Sequence, residues 1–153
     1  MKKKLIILIS IFFPILFLDQ LLKYIVNTRL PLSEKITVIN HYFNIVHVDN
    51  TGVAFGFMSN YSDLFIILFT SLIIAVITFF LFKTKINSNL FAISSSLIIS
   101  GASSNLLSRI FQRYVVDFLD FHIYAYHWPS FNAADSSVVI GTILLFISLI
   151  KYI

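Results

Sequence analysis

The stretch VVDFLDF at 115–121 sets two carboxylates, Asp117 and Asp120, beside long apolar runs, where an ion is costly to desolvate. A third, Asp135, stands ahead of another apolar run in FNAADSS. Two carboxylates within a few ångströms cannot both ionise comfortably, so the pair keeps one proton near neutral pH and offers an acid and a base together. With a water between them, one takes the water's proton while the other protonates a peptide carbonyl oxygen, which is aspartic peptidase chemistry. The chain has no cysteine, so thiolate nucleophiles, thiolate metal sites and disulfides are excluded. Ser, Asp, His or a bound metal must then carry any chemistry. Taken singly, Asp135 reads equally well as an N-cap, and Asp120, closer to the aqueous side, as a solvated or capping residue.

The elements that hold these groups are membrane-like. Of the 153 residues 58% are hydrophobic and 12% charged, and the apolar residues fall in blocks. Four blocks approach the ~20 residues needed to cross a hydrocarbon core: about 5–22, 64–82, 90–110 and 133–153. The expected fold class is therefore an all-α polytopic membrane protein, one domain over 1–153, with four transmembrane helices. The opening Met-Lys-Lys-Lys and apolar run also resemble a secretory signal, but no small-x-small site follows, so the run is read as a retained first span.

Basic residues sit at the ends of the apolar runs, with no stripe that would suit nucleic acid, which is not an expected partner. Lys2, Lys3, Lys4, Lys83, Lys85 and Lys151 fall on one side, against Arg29, Lys35 and Arg113 on the other; counting Lys23 and Arg109 as outside narrows this to six against five. Both termini are then expected in the cytoplasm. Residues 25–62 form a long outer segment in which 34–48, rich in β-branched and aromatic residues, suggests two short strands. Residues 83–89 are an inner polar turn, and 111–132, with Tyr114, Tyr124, Tyr126 and Trp128, an outer connection suited to an interfacial belt.

In this arrangement the third span runs outward and the fourth returns, so Asp117 and Asp135 meet near the outer face. Asp19 and Lys23, an i,i+4 pair at the outer end of the first span, lie at similar depth, as does NTGVAFG at 50–56. In the third span Ser96, Ser100 and Ser104 recur every four residues, which close helix packing explains; Asn105 and Arg109 need another reason and suggest a polar cluster facing the bundle.

The blocks DQLLK (19–23), NTGVAFG (50–56), GASSNLLSR (101–109), VVDFLD (115–120) and FNAADSS (131–137) resemble, in order and spacing, those of the lipoprotein signal peptidases, bacterial signal peptidase II. That resemblance covers all four spans. It implies Asp117 and Asp135 as the catalytic dyad, Asp120 as supporting, and Asn50, Asn105, Arg109, Asn132, Asp19 and Lys23 as substrate-binding or supporting residues. It implies an external β-rich cradle, no metal or cofactor, and an inner-membrane enzyme, expected to act as a monomer among membrane lipid. Its substrates would be diacylglyceryl-modified prolipoproteins, cut just before the lipidated Cys at the outer face. Ser104-Asn105 and Ser108-Arg109 depart from the Gly-Asn and Asp-Arg common in that family, which bears on packing and on Arg109 orientation.

Two other readings use the same residues. A small transporter or channel subunit could relay protons through Asp19, Asp117 and Asp135, but these gather at one face and no span is broken at mid-depth. A metalloprotease could use His122 and His127 with Asp117, though the spacing fits no HExxH-type pattern.

Overall fold

The computed structural model describes residues 1–52, 63–86 and 88–150. Of the sequence expectations, 53–62 of the outer segment, Asn87 of the inner turn and 151–153 of the last span lie outside the described residues. Four helices account for the apolar blocks: α1 (Lys2–Arg29), α2 (Asp63–Lys83), α3 (Asn89–Gln112) and α4 (Ala133–Ile150). Each is long and apolar enough to cross a membrane. Helix α1 runs to Arg29, past the expected end at residue 22, because nothing breaks it before Leu30, which is extended and precedes Pro31.

Helix α3 is the central one: it packs against α1, α2 and α4, and 61% of its most apolar window is buried, against 6% for α1. Small residues permit this. Ser94, Ser96 and Ser100 return their hydroxyls to α3 carbonyls and present little bulk. A Cβ at Gly101 would collide with the Ala134 carbonyl oxygen and stand 2.9 Å from Val138 Cγ2; one at Gly141 would stand 2.8 Å from Ile98 Cγ1. Gly101→Ala is therefore expected to push the start of α4 outward, costing about 1–3 kcal/mol of stability and reducing activity, since Asp135 follows Ala134. Gly141→Ala, lower in the same interface, should lower the melting temperature with a smaller loss of activity; equal activity losses would contradict this.

The remaining elements form an antiparallel sheet in the order β1 (Lys35–Ile39), β2 (Phe43–Asn50), β3 (Val115–Ile123), β4 (Tyr126–His127). The first two strands match the expected β character of 34–48. The all-α class is corrected, because 111–132 is more than an aromatic connection: its VVDFLDFHI run is the inner strand β3, paired with β2 across more than sixty residues of chain. Arg113 ends α3 in the left-handed region (φ 70°), its N–H donating to the Arg109 carbonyl, and this turns the chain straight into β3. Val116 and Phe118 then pack on Val26 and Leu30 at the end of α1, fixing the sheet to the bundle. At the opposite end Lys4 Nζ donates to the Leu81 and Thr84 carbonyls, so the start of α1 and the end of α2 share one side, as the charge pattern requires.

Candidate active site

Asp117 enters the site from β3 and Asp135 from the first turn of α4. Asn132 joins them. It occupies the N-cap position of α4, where its Oδ1 accepts from Asp135 N–H at 2.9 Å while Asp135 Oδ2 accepts from Asn132 N–H at 3.1 Å, a reciprocal capping box. Its Nδ2 donates to Asp117 Oδ1 at 2.7 Å. Asp135 is thus the third residue of the helix, not the cap itself. NAAD, read as a cap followed three residues later by an acid, carried that signal in the sequence.

The other oxygen of each carboxylate is also held. Asn50 Nδ2 donates to Asp117 Oδ2 at 2.8 Å, and Asn105 Nδ2 donates to Asp135 Oδ1 at 2.8 Å. Behind Asn105, Lys23 Nζ donates to its Oδ1 at 2.7 Å and pairs with Asp19 Oδ2 at 2.6 Å. Asp19 Oδ1 in turn accepts from Ala134 N–H at 2.8 Å, tying α1 to the start of α4. Asp19 and Lys23 are buried and, like Asn132, stand behind the site instead of lining it. Arg109 donates through Nη2 to the Gly52 carbonyl at 2.6 Å, holding the chain just beyond β2 against α3; its Nε has no acceptor among the described residues.

Asn50, Asn105, Arg109, Asp117 and Asp135 line one cavity of about 210 Å³, whose remaining wall is apolar except for Thr70 and includes Phe69 and Ile73 of α2, Ile98 of α3 and Val138 of α4. The Asp117 carboxyl is pushed up to about 6, first by burial and then by the negative charge of Asp135; the Asn50 and Asn132 hydrogen bonds and Lys23 oppose the rise. Two carboxylates close enough to couple, each gripped by amide donors and open to an apolar cavity, can activate a water and polarise a carbonyl.

Gln20 enters the network behind the site without having been singled out. Gln20 Nε2 donates to Ser104 Oγ at 2.9 Å and to Ser108 Oγ at 3.1 Å, and Ser104 Oγ donates to Asp19 Oδ2 at 2.7 Å. Ser104 and Ser108, the two departures from the family pattern, thereby gain partners of their own; the four-residue serine repeat gave Ser104 no signal beyond packing. Asp120 is not solvated. It is buried, accepts from Asn44 Nδ2 at 2.8 Å, and lies 2.8 Å from His127 Nδ1. Burial pushes its carboxyl up, but the His127 and Asn44 hydrogen bonds and the nearby imidazoles outweigh this and hold it below the usual carboxylate range. His122 and His127 therefore gather at Asp120, not at Asp117, contrary to the metalloprotease arrangement.

Residues 11–151 match the family described as Signal peptidase (SPase) II. A lipoprotein signal peptidase of Clostridium tetani (strain Massachusetts / E88) is 45% identical over 137 residues, spanning 89% of this chain and 87% of that protein. One from Syntrophus aciditrophicus (strain SB) is 37% identical over 155 residues, spanning 99% and 96% respectively. Two solved structures, described as bacterial membrane enzymes obtained by the in meso method at 2.3 and 1.9 Å resolution, superpose with TM-scores of 0.86 and 0.83. Each is 32% identical and covers 99% of this chain, the chain covering 89% and 94% of theirs. Four span-length helices and this likeness fit a multi-pass membrane protein, and by the extent of the match the chain belongs to the signal peptidase II family.

Proposed function

We propose that this protein is an intramembrane aspartic endopeptidase that removes the signal peptide from diacylglyceryl-modified prolipoproteins, cleaving before the lipidated Cys. One observation carries the reading: Asp117 and Asp135 line the same cavity, bridged by Asn132 and each held at both oxygens by donors. The pair holds one proton. The ionised carboxylate takes a proton from water as its oxygen attacks the scissile carbonyl carbon, and the protonated one gives its proton to the carbonyl oxygen. As the tetrahedral intermediate collapses, the C–N bond breaks, the amine leaves with the proton taken from water, and one hydroxyl of the gem-diol returns its proton to the other carboxylate, restoring the singly protonated pair. Asn50, Asn105 and Asn132 keep the carboxylates from rotating, so the geometry is in place before substrate arrives. Arg109 and Asn105 supply donors for the substrate backbone, while Asp19 and Lys23 position α4. The purified protein should convert a lipidated precursor into two products whose masses place the cut on the amino side of Cys. Cleavage elsewhere, or none, would contradict the assignment.

The enzyme acts as a monomer in the bacterial cytoplasmic membrane, with both termini in the cytoplasm and the dyad near the outer face. Since the chain has no cysteine, single probes report without background. Ser33→Cys and Lys85→Cys place thiols at exposed positions near opposite ends of the bundle. An impermeant maleimide added to whole cells is expected to label the first and spare the second. The reverse pattern would invert the topology.

A further inference from the structure

The outer sheet carries a second cluster outside the hydrolytic cavity. Asp120 and His122 are two residues apart on β3 and so share a face, and His127 of β4 is the direct cross-strand partner of His122. One ligand atom from each of the three lies within 4.8 Å of the other two. Both imidazoles turn Nδ1 toward the carboxylate: His127 Nδ1 is 2.8 Å from Asp120 Oδ1, and His122 Nδ1 is 3.8 Å from Asp120 Oδ2. Asn44 Nδ2 donates to Asp120 Oδ2 at 2.8 Å and stands 3.4 Å from His122 Nδ1. The amide N–H facing His122 Nδ1 suits the tautomer with a lone pair there, the form in which imidazole binds a metal, whereas His127 Nδ1 donates to Asp120 and would release its proton on metal binding.

We propose that Asp120, His122 and His127 form a binding site for a divalent transition metal of the zinc class. Two imidazole nitrogens and one carboxylate are a zinc donor set, with water completing the tetrahedron. Donor atoms around tetrahedral zinc stand roughly 3.4 Å apart, and at Asp120 Oδ2 the separations of 3.1 Å to His127 Nδ1 and 3.8 Å to His122 Nδ1 bracket that value. The two rings are stacked, centroids 4.5 Å apart and planes within 8°, so rotation of His127, whose side chain is 47% exposed, converges the nitrogens. Asn44, which donates to Asp120 Oδ2, orients the carboxylate. Access is open, because Asp120 and His127 line a groove of about 490 Å³ that also carries Glu34 and contains neither Asp117 nor Asp135. Bound metal would tie the β3–β4 hairpin together without entering the hydrolytic cavity, so the site is structural and independent of the peptidase reading.

The test uses full-length protein without a polyhistidine tag, purified in detergent. It is titrated with zinc chloride against a chromophoric chelator, and its thermal unfolding is followed in parallel. One equivalent should bind and raise the melting temperature, since a ligand that binds the folded state stabilises it by mass action. His127→Ala and His122→Ala should each weaken binding by roughly tenfold or more and remove the thermal shift, with Asn44→Ala weakening it less. His41→Ala and Asp49→Asn, which test the other histidines' surroundings, should leave binding intact, and calcium, which prefers oxygen donors, should not compete. His127 is half exposed, so its variant keeps the fold and decides the matter even where His122→Ala does not. Absence of saturable zinc binding, or binding that survives His127→Ala, would overturn the proposal.

Discussion

Asp117→Asn and Asp135→Asn should each lower turnover of a lipidated precursor by about 10²–10⁴-fold or more, the range expected when a general acid or base is lost. An amide neither accepts the water's proton nor carries the shared one. Both variants should remain folded, because Asn is close in size and its one amide oxygen still accepts from one of the two donors that grip each carboxyl. Asp117→Asn also removes a buried carboxyl whose ionisation is disfavoured in the fold, so its melting temperature at neutral pH should not fall. The sign follows from the raised value: stabilisation by the protonated form is full below the ordinary carboxylate range and lost as pH rises through about 6. Asp120→Asn, three residues along the strand, should retain far more activity. Wild-type turnover by either of the first two variants would remove that residue from the dyad.

The second large effect concerns the lipid. A diacylglyceryl-Cys precursor should be cleaved far faster than the same peptide unlipidated when both are presented in one membrane mimic. Each buried methylene adds ~0.8 kcal/mol of membrane partitioning, so two acyl chains confine the substrate to the leaflet. Confinement also sets the depth of the scissile bond, which a free peptide would reach only by costly ordering. The apolar cavity wall of Phe69, Ile73, Ile98 and Val138 suits a substrate arriving from hydrocarbon, and Asn105 and Arg109 in the same lining offer donors to a peptide backbone under this proposal. Arg109→Ala should then reduce activity by misplacing substrate, leaving the acid–base pair in position. Equal rates for the two precursors would replace the lipoprotein assignment with a general membrane aspartic peptidase.

Much of this was legible from residue order. Apolar runs of about twenty residues specify helices because an unsatisfied backbone cannot cross hydrocarbon, and a helical hairpin returns its two ends to one level. That places Asp117 and Asp135 at one level, where they can meet. The sheet was less legible, since pairing Asn44 with Asp120 is a non-local event that local alternation does not encode. Ignorance of that strand made Asp120 look solvated and hid its histidine partners. The length of α1 was missed because apolarity, not helicity, ends near residue 22; Lys23 continues the helix inside the bundle through Asp19 and Asn105. Gln20 and the two serines it bonds could not be paired from sequence, because their contact depends on how α1 rotates against α3.

Titration of the Asp117 carboxyl in the folded protein, with and without the Asp135 charge, tests the dyad most directly. With selectively ¹³Cγ-labelled aspartate, and Asp117→Asn to identify the resonance, the wild-type signal should titrate near 6. In Asp135→Asn it should titrate lower, because removing a neighbouring negative charge makes ionisation easier while burial remains. An Asp117 titration that is unmoved by Asp135→Asn would show that the two carboxyls do not share a proton, and would contradict the account.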